Sequence, residues 1–306
     1  MVPAAARTEH AMTTSVLAAL AAACCFAAAA VLQQEAAQTT STDDSLKLRL
    51  LLDLLHRPKW ITGIALLVSG YGFQALALAN GPVALVQPIV VTELAIAIPI
   101  AMWRRHRQPL LRDWIGITAV LGGISGFLII ASPAPGIANP DTPTWIACLT
   151  PTAIIVAVLV ALAARSQGPR RPMLLGAAAG CAFGLLAVLT KATIYQLSHN
   201  ITSTLTSWQP YLLIAAGIAA LVISQSAYQA GPLAYSMPLI AVLEPLLAVL
   251  IGATAFGEDL RLTGGYLAAQ AITAATSIAG ITLLATSPTV LSIYEQQAPE
   301  APVKRS

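Results

Sequence analysis

A chain of 306 residues with 57% apolar and only 9% charged side chains cannot cover the surface of a water-soluble globule. Its formal net charge of +3 leaves no electrostatic footprint for nucleic acid, so the partner implied by composition is a lipid bilayer. No nucleotide-binding loop, catalytic triad or metal-ligand cluster is spelled out, and His10, His56, His106 and His199 all fall outside the apolar stretches, so neither an enzyme nor a cofactor is expected.

A membrane-crossing helix needs about 20 mostly apolar residues. The first such stretch runs 12–33. It is longer than the apolar core of a secretory signal, and Cys24-Cys25 lack the aliphatic residue three positions earlier that a lipoprotein site needs. It therefore reads as a retained helix. Residues 34–59 follow, where the apolar run 46–55 is interrupted by Lys47, Arg49 and Asp53. That pattern suits an amphipathic helix lying at the interface. The alternative, a tenth span, puts the N-terminus on the other side. Spans two and three, 60–79 and 81–103, are joined by Asn80-Gly81-Pro82, a sequence that ends one helix and starts the next. Further spans run 113–132, 145–164, 173–197 and 209–229. The last two, 231–256 and 264–286, follow, with Ala230-Gly231-Pro232 as a second tight turn. The tail after Pro288, rich in Gln, Pro and Ala, reads as disordered. The four cysteines, Cys24, Cys25, Cys148 and Cys181, lie inside spans and are expected to be reduced and buried.

Nine spans place the loops alternately on two sides. One side receives Lys47, Arg49, Arg57, Lys59, Arg104, Arg105, Arg107, Arg112, Arg165, Arg170, Arg171, Lys304 and Arg305. The other receives only Arg7 and Arg261. Basic loops stay cytoplasmic, so the expected protein sits in the cell membrane with its N-terminus outside and its C-terminus in the cytoplasm. An even number of spans gives no such split.

The chain also contains itself twice. Residues 21–34 (AAACCFAAAAVLQQ) match 178–191 (AAGCAFGLLAVLTK) at an offset of 157, with seven of fourteen positions identical. Gly81-Pro82-x-Ala84-x-x-x-Pro88 matches Gly231-Pro232-x-Ala234-x-x-x-Pro238 at an offset of 150, and each is followed by a glutamate, Glu93 or Glu244. Spans four and nine both end in Ser-Pro, at Ser132-Pro133 and Ser287-Pro288. The expected fold is an all-α integral membrane protein with two inverted four-helix repeats joined by one helix. Residues 1–133 form the first repeat, 134–172 the linker with span 145–164, 173–288 the second repeat, and 289–306 the tail. Such architectures place a substrate site near the midplane between the halves.

Three ionisable residues fall well inside the spans: Glu93, Lys191 and Glu244. A charge there costs at least about 2.5–3.5 kcal/mol, so it lines a watery path or meets a partner. The two glutamates occupy matching places in the repeats. They are the candidate substrate or ion ligands and the metal-ligand candidates, with Gln87, Thr92, Tyr235 and Ser236 as neighbours. Two carboxylates and waters suit a hard cation such as Mg²⁺. A hydrogen-bonded structural glutamate is the alternative. Lys191 either snorkels to the outer interface or contacts an anion. Pro88, Pro238 and Pro245 are kink candidates, since proline removes a helical hydrogen bond. Gln74, Gln225, Gln229 and Gln270 read as hydrogen bonds between helices, and Gly122-Gly123-x-x-Gly126 as a close helix contact.

Residues 244–258, Glu-Pro-Leu-Leu-Ala-Val-Leu-Ile-Gly-Ala-Thr-Ala-Phe-Gly-Glu, resemble the EamA-type signature of the drug/metabolite transporter (DMT) superfamily, matching at Pro245, Gly257 and Glu258. The first repeat departs from it: Leu94 follows Glu93, and Arg107 stands where the final glutamate belongs. Phe183 with Lys191 fits the superfamily's aromatic-then-lysine spacing, and Phe26 with Gln34 fits in part. The four-one-four layout, with Gly81-Pro82 to Gln87-Pro88, is similar to the NIPA-type magnesium transporters. The resemblance implies alternating-access transport of a small solute or cation, with Mg²⁺-like cations and small metabolites both open. The proton-binding glutamate of the small multidrug exporters is replaced here by Phe26 and Phe183. A non-transporting scaffold that kept the fold is the competing expectation, and self-association is left open.

Overall fold

Apolar segments in lipid must satisfy their backbone hydrogen bonds internally, and long continuous ones do so as helices. Accordingly, the computed structural model of the chain, which describes residues 4–41, 44–80, 86, 89–131, 140–257 and 265–297, is helical, with no strand among those residues. The helices are α1 (Ala4–Ala37), α2 (Leu48–Leu54), α3 (Pro58–Asn80), α4 (Glu93–Trp103), α5 (Leu111–Ala131) and α6 (Thr142–Arg165). The rest are α7 (Arg170–His199), α8 (Ile201–Thr206), α9 (Gln209–Ala230), α10 (Leu233–Ala255), α11 (Gly265–Ala285) and α12 (Pro288–Gln297).

Eight of the described helices, α1, α3, α5, α6, α7, α9, α10 and α11, contain a stretch long and apolar enough to cross a membrane, and they coincide with eight of the expected spans. The protein is a multi-pass membrane protein. The expected third span, 81–103, differs. Its described helical part, Ile89–Trp103, is shorter than a crossing requires, and most of 81–88 lies outside the described residues.

Local chemistry sets the helix ends. Asp141 caps α6 by accepting a bond from the Thr144 amide at 3.2 Å, with Pro143 in the first turn, where its missing N–H costs nothing. Pro232 opens α10. Gly257, with φ +62°, closes it, because the left-handed conformation past a helix end strains any residue with a Cβ.

The two halves of the chain pack alike. In the first, α1 lies on α3 and α4; in the second, α7 lies on α9 and α10. The fourth spans of the halves, α5 and α11, pack on each other, and α4 touches α10. The α5–α11 seam is tight because glycines let the backbones meet. A Cβ on Gly123 would lie 2.6 Å from the Thr273 carbonyl oxygen, and one on Gly280 would lie 2.6 Å from that of Gly116. Gly122, by contrast, faces open space. A central apolar core joins α1, α4, α5, α10, α11 and α12 through residues such as Leu94, Ile98, Ile117, Val242 and Leu284. The linker helix α6 packs on α7 and α10. At its N-terminal end Trp145 meets Trp208 and Phe256 edge to face, at 5.4 and 5.7 Å.

The segment expected at the interface forms the short helix α2. Leu50, Leu51 and Leu54 are buried against Ala36, Trp60 and Val222, while Leu48, Leu52 and Leu55 face outward. Seven residues do not span a bilayer.

Two expectations are corrected. The tail 289–306 is not disordered throughout: Pro288–Gln297 is helical, because Val290 and Ile293, spaced i, i+3, are buried in the central core. The glutamine and proline content that suggested disorder concealed this apolar stripe. Residues 298–306 lie outside the described residues. Of the cysteines, only Cys181 is buried; Cys24 is exposed on the outer surface of the bundle, and Cys25 and Cys148 are half-buried. A span in a bundle has an outward face, so lying in a span does not mean lying in the core.

Candidate functional site

The two intramembrane carboxylates come from helices that touch, α4 and α10. Glu93 is the first residue of α4 and follows a turn at Thr92. That turn is tightened. The Thr92 amide reaches back to the Ile89 carbonyl at 3.1 Å, and the Ala95 amide to that of Thr92 at 2.9 Å, both three residues apart rather than four. The Thr92 hydroxyl also donates to the Ile89 carbonyl, at 2.6 Å, so it is already engaged beside Glu93. Glu244 sits inside α10 next to Pro245, and Pro238 lies in the same helix. These prolines lack an amide, which leaves the carbonyls of Ala234 and Ala241 without their usual helical donors. Pro88 lies outside the described residues.

Glu93 lies within electrostatic range of Glu244. Two tyrosines complete the group: Tyr71 of α3 and Tyr228 of α9 each lie within range of both carboxylates and of one another. Four helices, α3 and α4 from one half and α9 and α10 from the other, thus bring these side chains within electrostatic range of one another. Both glutamates are deeply enclosed, yet neither is fully covered. Tyr71 keeps 52% of its surface open although it lies within electrostatic range of both carboxylates. Among the described residues neither glutamate has a hydrogen-bond donor or an ion-pair partner. An enclosed carboxylate without a counter-charge costs several kcal/mol, and two together repel. Such an arrangement is relieved by taking up a proton or a cation. It is a pair and not a cage, for no group of three or more His, Cys, Asp or Glu suited to a metal occurs among the described residues.

The other residues singled out in the sequence fall elsewhere. Tyr235 and Ser236, expected as neighbours of Glu244, are 1% and 0% exposed at the start of α10, about 12 Å or more along the helix. Tyr235 packs edge-on against Tyr294 of α12 at 5.9 Å, and Ser236 fits against Gly176 of α7. Eight residues along a helix is more than two turns, so they are not neighbours of Glu244, and both hydroxyls are buried with no hydrogen-bond partner among the described residues. Lys191 of α7 holds its ammonium 4.7 Å from the centre of the Phe256 ring, and it lines a groove of about 200 Å³ with Ala187, Val188, Ala248, Val249 and Gly252. It is not part of the carboxylate group. Gln87 lies outside the described residues. Tyr71 and Tyr228 were not singled out. Their one signal is a tyrosine inside a span, with Tyr71 set between Gly70 and Gly72.

The chain is similar to an uncharacterized protein of Corynebacterium glutamicum, 28% identical over 225 residues that cover 72% of this chain and 76% of the relative. No family model and no solved structure matches it.

Proposed function

We propose that this multi-pass membrane protein is a transporter of the DMT type, moving a small cation or solute by alternating access past Glu93 and Glu244. The observation that carries the reading is the meeting of two enclosed, donor-free carboxylates from matching places in the sequence repeat, beside a half-exposed tyrosine. A scaffold has no use for an unsatisfied pair of this kind; it would lock each glutamate into contacts between helices. The parallel packing of α1 on α3 and α4, and of α7 on α9 and α10, supports two units related by inversion around the linker α6. The uneven split of basic residues supports a cytoplasmic C-terminus in the cell membrane.

The chemistry of the pair favours a hard cation that keeps its waters. Mg²⁺ is taken by one or two carboxylates together with water, and the phenol groups of Tyr71 and Tyr228 can orient that water. An empty pair repels itself and an occupied one does not, so occupancy changes which helix arrangement is preferred. The test is Mg²⁺ influx into proteoliposomes holding an entrapped indicator, for the wild type and Glu244→Gln. Influx that needs the protein and collapses in the variant supports the reading. No influx above empty liposomes removes Mg²⁺, and the same vesicles then test small-metabolite flux.

A further inference from the structure

We propose that the basic end of the bundle is a closed gate, latched by glutamine side chains, whose release opens the carboxylate pair to that side. The glutamine contacts join the two halves of the chain, while the Glu35 pairs lie within the first half. Gln34 of α1 donates to the Gly231 carbonyl in the α9–α10 turn at 2.8 Å. Gln38 donates to the carbonyls of Tyr228 and Gly231, each at 3.3 Å, and accepts from the Arg105 guanidinium. Gln225 of α9 donates to Gln33 at 2.7 Å and accepts from the Trp60 indole at 3.1 Å. Gln229 donates to the Thr40 hydroxyl at 2.7 Å and to the Ser41 carbonyl at 2.8 Å. Glu35, between Gln33 and Gln34, is paired with Lys59 at 2.9 Å and with Arg104, tying the ends of α1, α3 and α4 together.

Behind this latch almost no space is left. The cavity lined by Gln34, Arg105, Ala101, Ala234 and Val290 is about 10 Å³, room for roughly one water. Helix α12 closes it from below through Val290 and Ile293. The other end differs. Lys191, at the register of Gln34 in the sequence repeat, lines the groove of about 200 Å³. The same position is thus bonded across the halves at one end and beside open space at the other.

Two features make the latch a device and not mere packing. Its bonds are directional side-chain contacts that can be broken and remade, whereas the glycine seam of α5 and α11 is backbone packed on backbone. It also shares a residue with the site: the Tyr228 carbonyl is held by Gln38 while its phenol lies within electrostatic range of both carboxylates. A change in the carboxylate pair therefore reaches the latch through one side chain.

The inference rests on the transport reading for its purpose, yet it is measured without any substrate. In a background with all four cysteines replaced by serine, Ala234→Cys is exposed in oriented vesicles to a membrane-impermeant maleimide on the basic-end side. Ala234 is 4% exposed, so labelling is expected to be slow. Gln34→Ala and Gln229→Ala should each speed it by about tenfold, as the population of open molecules rises. Gln38→Ala, at a half-buried side chain, gives the same readout if Gln34→Ala fails to fold. Fast labelling in the starting protein, or equal rates in folded latch variants, overturns the gate. Faster labelling without flux of any cation supports the gate and sinks the transport reading alone.

Discussion

The α5–α11 seam joins the two halves of the molecule, and Gly123→Ala tests it. The added Cβ would stand 2.3 Å from the Ser277 hydroxyl, 2.6 Å from the Thr273 carbonyl oxygen and 2.7 Å from the Ser277 amide nitrogen. The hydroxyl can rotate away; the two backbone atoms cannot. Ordinary contact begins at 3.4 Å, so the Thr273 carbonyl must retreat about 0.8 Å, and α11 moves with it. Overpacking of that kind costs about 1–3 kcal/mol. Gly122→Ala is the internal control. It meets nothing within 4 Å, and alanine is the better helix former by up to about 1 kcal/mol, so the neighbouring variant should be neutral or stabilised. The assay is thermal unfolding in detergent, followed by far-ultraviolet circular dichroism. Gly123→Ala should melt well below the wild type and Gly122→Ala at or above it. Equal midpoints for the two variants would refute the seam, since only the packing of α5 on α11 distinguishes the two faces.

Further outcomes follow from the same geometry. Glu93→Gln should cut cation flux as Glu244→Gln does, and the double variant should be little worse than either single one, because the pair acts as a unit; additive losses would mean separate sites. Gln225→Ala strands the buried Trp60 indole N–H and the Gln33 carbonyl, at about 1–3 kcal/mol for each group left unpaired, read as a lowered unfolding midpoint. Lys191→Met should cost about 0.5–2 kcal/mol through the lost cation–ring contact, and less when made in a Phe256→Leu background. The Asp141 carboxyl is held below its usual range, first by the Thr144 side chain and then by the Thr144 amide. Its folded value lies below the unfolded one, so its support of α6 is present above the unfolded value of about 3.9 and lost as pH falls through the folded one. Protection of the Thr144 amide from hydrogen exchange, corrected for intrinsic rates, should fall across that window and lose this dependence in Asp141→Asn.

The spans were legible because crossing a bilayer constrains length and polarity together, and nothing else among the described residues satisfies both. The meeting of Glu93 with Glu244 was legible because two matching positions in a repeated sequence were each charged at prohibitive cost. Tyr71 and Tyr228 were not, since a tyrosine reads equally as core, interface or ligand until the helices that carry it are placed. Tyr235 and Ser236 misled because closeness in sequence was taken for closeness to Glu244, although they lie more than two helical turns away. Glu93 reads as mid-span in the sequence yet opens a helix, because the tightened hydrogen bonds at Thr92 carry no strong breaker signal. The latch was half visible: the span glutamines were read as bonds between helices, but not that Gln33, Gln34 and Gln38 collect with them at one end.

Helix α6 packs chiefly on α7 and α10, both of which follow it in the chain. A ribosome threading this protein into a bilayer thus releases α6 before its neighbours exist, and the helix stands alone in lipid until α7 emerges. Its apolar sequence must hold it there unaided. The break between α5 and α6 falls between the two packing units of the chain. A gene broken at that point and expressed as two cistrons would still encode both sides of the glycine seam and of the glutamine contacts, left to find each other by diffusion in the membrane.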